Sequence, residues 1–208
     1  MLEIKVAREE DIPRFQDLSR KYHLLRRKNI EEGFLYVINS EFSLKQIIKE
    51  GLSKTVKFQD EIVGYILINS GKGYGETYDR ELSLIVENNY HSYYDYKSAI
   101  ILQVVLDKSI RRIINSIRIQ NQIIGGLFKK GFRTVYAEGC LNPFNPRTYY
   151  LLSEMCGWKR EGFKHQRLED KDYENDPEEI SALGGIELMK KLLPQGIVFG
   201  LYSKHKIN

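Results

Sequence analysis

Apolar and polar residues alternate at the start of the chain, Leu2, Ile4 and Val6 against Glu3 and Lys5, the period of two expected of a strand with one buried face. The spacing then lengthens. Ile12, Phe15, Leu18, Tyr22 and Leu25 recur every three or four residues with Pro13 in the first turn, which predicts a helix over residues 8–25. Residues 31–51 predict a second helical unit with Ser43 as its N-cap and Gly51 as its stop. Residues 55–69 read as two strands joined in a hairpin at Gln59-Asp60-Glu61, with Gly64 marking a bulge or a close backbone approach.

The pattern is densest between residues 98 and 158. An apolar strand (99–106) runs into a charged link (107–112). A helix follows, carrying Ile110, Ile113, Ile114, Ile117, Ile124, Leu127 and Phe128 on one stripe and ending at Gly131. Gly125-Gly126 inside that helix costs about 1 kcal/mol per glycine relative to alanine, which suggests close packing against a sheet. A strand over 132–138, an Asn/Pro loop and a short helix ending at Gly157-Trp158 come next, then a strand over 158–168. Residues 169–179 hold seven acidic side chains in eleven and read as a loop. A helix over 179–194, closed by Pro194, and a strand over 196–204 complete the chain. The expectation is one mixed α/β domain over residues 1–208, with an acidic loop and helix inserted near 169–194.

With 208 residues the chain is long enough to bury a core, and 32 basic against 28 acidic residues leave a formal net charge of +4. Nothing in that balance calls for a nucleic-acid partner. Cys140 and Cys156 lack the spacing of a disulfide framework or a zinc site, and the four histidines are scattered, so no metal is expected. No apolar run spans a bilayer and no early apolar segment reads as a leader, which together suggest a soluble, cytoplasmic chain. The glycine-rich stretch 71–75 follows a strand with no helix behind it and reads as a loop. Tyr90, Tyr93, Tyr94 and Tyr96 could line a pocket, although core or dimer packing is the commoner role of clustered tyrosines.

A buried strand that enters a helix through a charged turn presents backbone N–H groups to phosphate. Here the segment reads QVVLDKSIRRIINS, and it is followed by NPFNPRTYYLLSEMCGW. The order of these pieces resembles the GNAT superfamily of acyl-CoA-dependent N-acetyltransferases. Gln103, Val104, Asp107, Lys108 and Arg111 fall on that family's strand-to-helix pattern without a gap, whereas Arg112 and Ile114 replace its two loop glycines. Asn142, Asn145, Arg147, Gly157 and Trp158 match the later signature.

The resemblance implies a twisted mixed sheet of six or seven strands flanked by helices, acetyl-CoA as co-substrate and an amine acceptor. It places the pantetheine between strands 99–106 and 132–138, whose free backbone groups would pair with it. The pyrophosphate would lie at the start of the central helix. The cofactor-binding set it implies is Leu106, Lys108, Arg111, Arg112, Asn115, Ser116 and Asn145. Asn145 could equally cap the following helix. Glu138 is the implied base, acting through water, and a salt-bridged carboxylate at a strand end is its structural alternative. The family's thiolate-facing tyrosine falls on Ser153 when counted from Gly157 or on Leu152 when counted from Asn145, so the helix carries a one-residue insertion or shift. The family's second helical region borders the acceptor pocket. Beside that pocket the acidic loop could attract a cationic amine and the helix after it could cover the pocket or pack against a second subunit, although a solvated excursion between two strands is the commoner role of such a segment. The competing expectation, favoured by the missing glycines and tyrosine, is a catalytically silent GNAT-fold binding or regulatory domain.

Overall fold

The computed structural model of the chain describes residues 2–26, 35, 38–71, 97–142, 145, 148, 150–166 and 185–207. The four clustered tyrosines, the acidic stretch 169–179 and Arg147 lie outside the described residues. Seven strands form a single sheet: β1 (Leu2–Val6), β2 (Lys54–Phe58), β3 (Glu61–Ser70), β4 (Ser98–Leu106), β5 (Thr134–Asn142), β6 (Lys159–Gln166) and β7 (Ile197–His205). Their order across the sheet is β1-β2-β3-β4-β5-β7-β6. Neighbours are antiparallel except β4 and β5, which are parallel, as expected of two strands joined by a helical crossover.

Helices α1 (Ile12–Tyr22) and α2 (Glu41–Ile48) bury Phe15, Leu18, Tyr22, Leu44 and Ile47 against Tyr65, Leu67 and Val105 on one face of the sheet. Helix α3 (Ile113–Lys129) covers the other face, where Ile119, Ile123, Ile124 and Leu127 pack on Ile66, Ile68, Ala99, Ile101, Val135 and Ala137. Helix α4 (Gly185–Leu192) sets Met189 into an apolar group with Leu24, Cys140, Ile197 and Phe199. Tyr202 sits with Leu152, Cys156 and Trp158 beside the α3 packing. Alternation along β7 places Phe199 and Tyr202 on opposite faces, so Cys140 and Cys156 lie on opposite sides of the sheet as free thiols.

Local chemistry explains the boundaries. The β2–β3 hairpin turns on Gln59 and Asp60, both at positive φ (50° and 65°), the primed turn whose twist matches a tight hairpin. Ser40, not Ser43, caps α2: the Ser40 hydroxyl accepts from the Ser43 N–H at 3.2 Å. An N-cap serves the N–H three residues on, so the serine nearer the apolar run is the one being capped. The central stripe also shifts. Helix α3 begins at Ile113, which leaves Ile114 71% exposed and turns Ile119 and Ile123 inward. Gly125 and Gly126 do not press on the sheet, because a methyl group built on either would meet nothing within 4 Å beyond its own stretch of helix backbone. No helix among the described residues is long and apolar enough to cross a membrane.

Candidate functional site

The sheet opens between its two parallel strands. β4 and β5 pair from Ser98↔Thr134 to Ile101↔Ala137, and no further, although each strand continues for several residues. The break coincides with a change of register between β3 and β4: Leu67 faces Gln103 and Ile68 faces Ile101, so Leu102 is an extra, bulged residue. A bulge bends its strand and increases its twist, and this one swings β4 away from β5 at the first unpaired position. Residues 102–106 and 138–142 therefore form the two banks of a fork. On its far side β4 lies tight against β3, because Gly64 allows it: a Cβ there would stand 2.6 Å from the Val105 carbonyl oxygen and 2.8 Å from Leu106 Cδ2.

At the end of the first bank the chain turns from β4 into α3, and the last helical turn of α1 holds that turn in place. The Asp107 N–H donates to the Val63 carbonyl at 2.7 Å. The Asp107 carboxylate accepts from Lys21 Nζ at 2.6 Å, from the Ser109 N–H at 3.0 Å and from the Tyr22 hydroxyl at 3.3 Å. Burial alone would raise the Asp107 carboxyl, but the bonds from Lys21 and Ser109 outweigh it and hold the group well below the usual carboxylate range. The Tyr22 hydroxyl also accepts the Lys108 N–H at 2.7 Å. Arg111 donates through Nε to the Leu106 carbonyl at 2.8 Å, and its guanidinium carbon lies 4.2 Å from the centre of the Tyr22 ring. Arg112 is the exposed N-cap of α3 and offers no side-chain cap. Asn115 and Ser116 bond backwards to the Ile110 and Arg112 carbonyls. Leu106 itself points into the α3 core, with only its carbonyl engaged by the turn.

The second bank is assembled differently. Glu138 is half-buried and directly follows the last paired residue, so it stands at the fork itself. It is not at a strand end, since β5 continues to Asn142 and pairs with β7 as it does. Val135 and Ala137 face α3, and alternation places Glu138 on the opposite face. Asn145 is buried, its N–H bonds the Cys140 carbonyl at 3.2 Å, and its side-chain oxygen accepts from the Thr148 N–H at 3.2 Å, the bond of a helix cap.

The helix that follows is a π-helical turn (Tyr150–Met155), closed by the Cys156 N–H on the Leu151 carbonyl five residues back. A π-turn accommodates one extra residue, which is why counts from Asn145 and from Gly157 disagree by one. Leu152 points into the core and Ser153 is half-buried. Beneath the turn the Tyr202 ring lies over Gly200 and Gly139, whose missing side chain leaves room for Thr148, Leu152 and the ring. Lys204 Nζ donates to the Cys156 carbonyl and, at 3.5 Å, to that of Gly157, capping the end of the turn with positive charge.

Above the fork, on the α1/α2 face, lies a buried polar group that no local pattern announces. The Tyr65 ring stacks on Phe15 at 4.5 Å, and its hydroxyl contacts Ser19 Oγ at 2.5 Å and the Gln103 amide at 2.7 Å. Asn39, just before α2, reaches the same amide at 3.3 Å. Burial raises the Tyr65 phenol, with the Ser19 contact opposing it, so it serves as a neutral hydrogen-bonding post. Of the residues named from the sequence, Leu106, Lys108, Arg111, Arg112, Asn115 and Ser116 meet at one turn, while Glu138, Asn145 and Ser153 belong to the other bank. Lys21, which sequence reasoning passed over, and Tyr22, read as core, complete the first.

No protein-family model and no curated protein sequence matches the chain. Solved structures do. The ribosomal-protein-S18-alanine N-acetyltransferase of Escherichia coli superposes with a TM-score of 0.58 at 10% identity over 99% of this chain and 94% of its own. An N-acetyltransferase of Staphylococcus aureus gives 0.57 at 12% identity over 99% and 98%. Ard1 of Thermoplasma volcanium gives 0.58 at 10% identity over 100% and 99%. The chain has the fold of the GNAT acetyltransferases along nearly its whole length.

Proposed function

We propose that the protein is an N-acyltransferase that moves an acetyl group from acetyl-CoA to an amine. The observation that carries this reading is the fork. Two parallel strands with unpaired facing edges offer alternating backbone donors and acceptors to a ligand that is itself a short run of amides, as pantetheine is. The Lys108, Arg111 and Arg112 side chains supply the positive charge a diphosphate needs. They would stand in for the close backbone approach that Arg112 and Ile114 do not provide.

In the transfer the amine nitrogen bonds to the acyl carbon, the C–S bond breaks, and the amine's proton leaves to a base. Glu138 fills that role through water, from the fork on the α1/α2 face, and a β4 backbone N–H receives the charge on the carbonyl oxygen. A thiol with an ordinary value of about 8.5 leaves without a strong acid, so the Ser153 hydroxyl suffices to hydrogen-bond the departing sulfur. Asn145 fixes the chain beside the cofactor by capping the π-turn.

The test is calorimetric titration with CoA, followed by thiol release from acetyl-CoA in the presence of a panel of small amines and peptides. Wild type should bind at micromolar CoA, and Arg111→Ala should weaken binding about tenfold. No binding at millimolar CoA would instead favour a silent binding domain, the reading that the exposed Ile114 supports.

A further inference from the structure

Two consecutive residues of β4 face the same side of the sheet. Leu102 packs on the α1/α2 core, and Gln103, the next residue, meets the Tyr65 hydroxyl in that same core, where a regular strand would point the two apart. The bulge at Leu102 permits this, and it leaves the bank beyond it paired with β3 and not with β5. A one-residue slip would carry the extra residue further along the bank, turn Gln103 to the other face and set Leu102 and Val104 around the Tyr65 hydroxyl. Tyr65 is fully buried, so the slip would cost its hydroxyl an acceptor that water does not replace. In the observed register Gln103 Oε1 accepts from Tyr65 at 2.7 Å and from Asn39 Nδ2 at 3.3 Å, and the Tyr65 hydroxyl meets Ser19 Oγ at 2.5 Å. Helix α1, strands β3 and β4 and the residue before the α2 cap thus meet at one amide.

We infer that Gln103 is a positioning residue for the acyl donor: resting on the acyl-transfer reading, its bonds to Tyr65 and Asn39 fix the bulge at Leu102, and with it the order of backbone N–H and C=O groups that the β4 bank offers to the pantetheine amides. Gln103 acts through the strand and touches no part of the donor. The turn beyond the bank is anchored separately, by Asp107 to the Val63 carbonyl and to Lys21, so the grip on the nucleotide half of CoA does not pass through Gln103.

Acting through the register has a signature that a purely structural glutamine lacks. By calorimetry, Gln103→Met should raise the Kd of CoA about tenfold and leave that of 3′-phospho-ADP, the nucleotide half of CoA, unchanged. Tyr65→Phe, which removes the hydroxyl at the other end of the bond, should do the same. In the Tyr65→Phe/Gln103→Met double variant the loss of CoA affinity should stay at about tenfold rather than reach about a hundredfold. Its urea midpoint should recover toward that of wild type, because neither polar group is then left buried without the other. Unchanged CoA binding in Gln103→Met, equal losses for CoA and the nucleotide, losses that multiply in the double variant, or a double variant that regains CoA affinity along with stability would each overturn the inference and leave the acyl-transfer reading intact. Failure of wild type to bind CoA would defeat both. If Gln103→Met does not fold, Tyr65→Phe carries the same comparison of the two ligands.

Discussion

The two banks of the fork each rest on a buried tyrosine, and the two tyrosines are used in opposite ways. The Tyr22 hydroxyl hydrogen-bonds Asp107 and Lys108 and its ring meets the Arg111 guanidinium, contacts to residues 85 or more positions away in sequence. Tyr202 is fully buried, its hydroxyl has no hydrogen-bond partner among the described residues, and its ring fills the space left by Gly139 and Gly200. The first bank is held by directional polar contacts between α1 and the β4–α3 turn. The second is held largely by shape, with side-chain caps from Asn145 just before its π-turn and from Lys204 just after it. Polar bracing suits a turn that must keep charges apart and oriented, whereas dense apolar packing suits a wall that need only keep its distance.

The largest expected effect breaks the first bank from behind. Gly64→Ala places a methyl group 2.6 Å from the Val105 carbonyl oxygen, and a backbone atom within a sheet cannot swing aside. β3 and β4 must part, which also loosens the Asp107 N–H bond to Val63. A destabilisation of about 3 kcal/mol in urea unfolding is expected, and an unchanged midpoint would mean that the close approach carries no weight.

Asp107→Ala comes next, at about 2 kcal/mol near neutral pH, because it removes the charged acceptor of Lys21, Ser109 and Tyr22 together. The pH dependence has a definite sign. A carboxyl whose folded value is depressed stabilises the fold fully above its unfolded value of about 4, and the contribution disappears as pH falls below that toward the folded value. The difference between wild type and Asp107→Ala should therefore hold from neutral pH to about pH 4 and shrink below it. A difference that instead narrowed between about pH 6 and 8 would point to another titrating group.

What the sequence revealed of these banks follows the same division. Alternation in residues 2–6, the polar turn before Ile62-Val63-Gly64 and the strand-helix-strand run from Ser98 specified the hairpin, the parallel pair and the helix between them. Gly64 was legible as a close approach, and the clash of the two counts around Ser153 was the π-turn seen from outside. Periodicity reports which face is buried, not what a side chain's polar end meets, so Tyr22 could be assigned to the core but not to Asp107 and Arg111. The same limit applies to Tyr65, Ser19 and Gln103, whose meeting depends on how α1 lies on the sheet. Gly125-Gly126 misled for the converse reason: a helix glycine signals close packing only if something is there to be close to.

The smallest effect is the sharpest test of the contrast. A buried hydroxyl without a partner forfeits its bonds to water on folding and gains none, a penalty of about 1–3 kcal/mol that part of the ring's burial must offset. Tyr202→Phe removes that penalty and keeps the ring over Gly139 and Gly200. The variant should be as stable as wild type or more stable by up to about 1 kcal/mol, and its CoA titration should be unchanged. Tyr22→Phe deletes the same atom and should do the reverse, lowering stability and weakening CoA together, because its hydroxyl is bonded to both Lys108 and Asp107. Thermal unfolding and calorimetry of the two single variants side by side decide the matter. A loss of stability or of CoA affinity in Tyr202→Phe would mean that the Tyr202 hydroxyl, like that of Tyr22, braces its bank through a polar contact, and the contrast between the two tyrosines would fall.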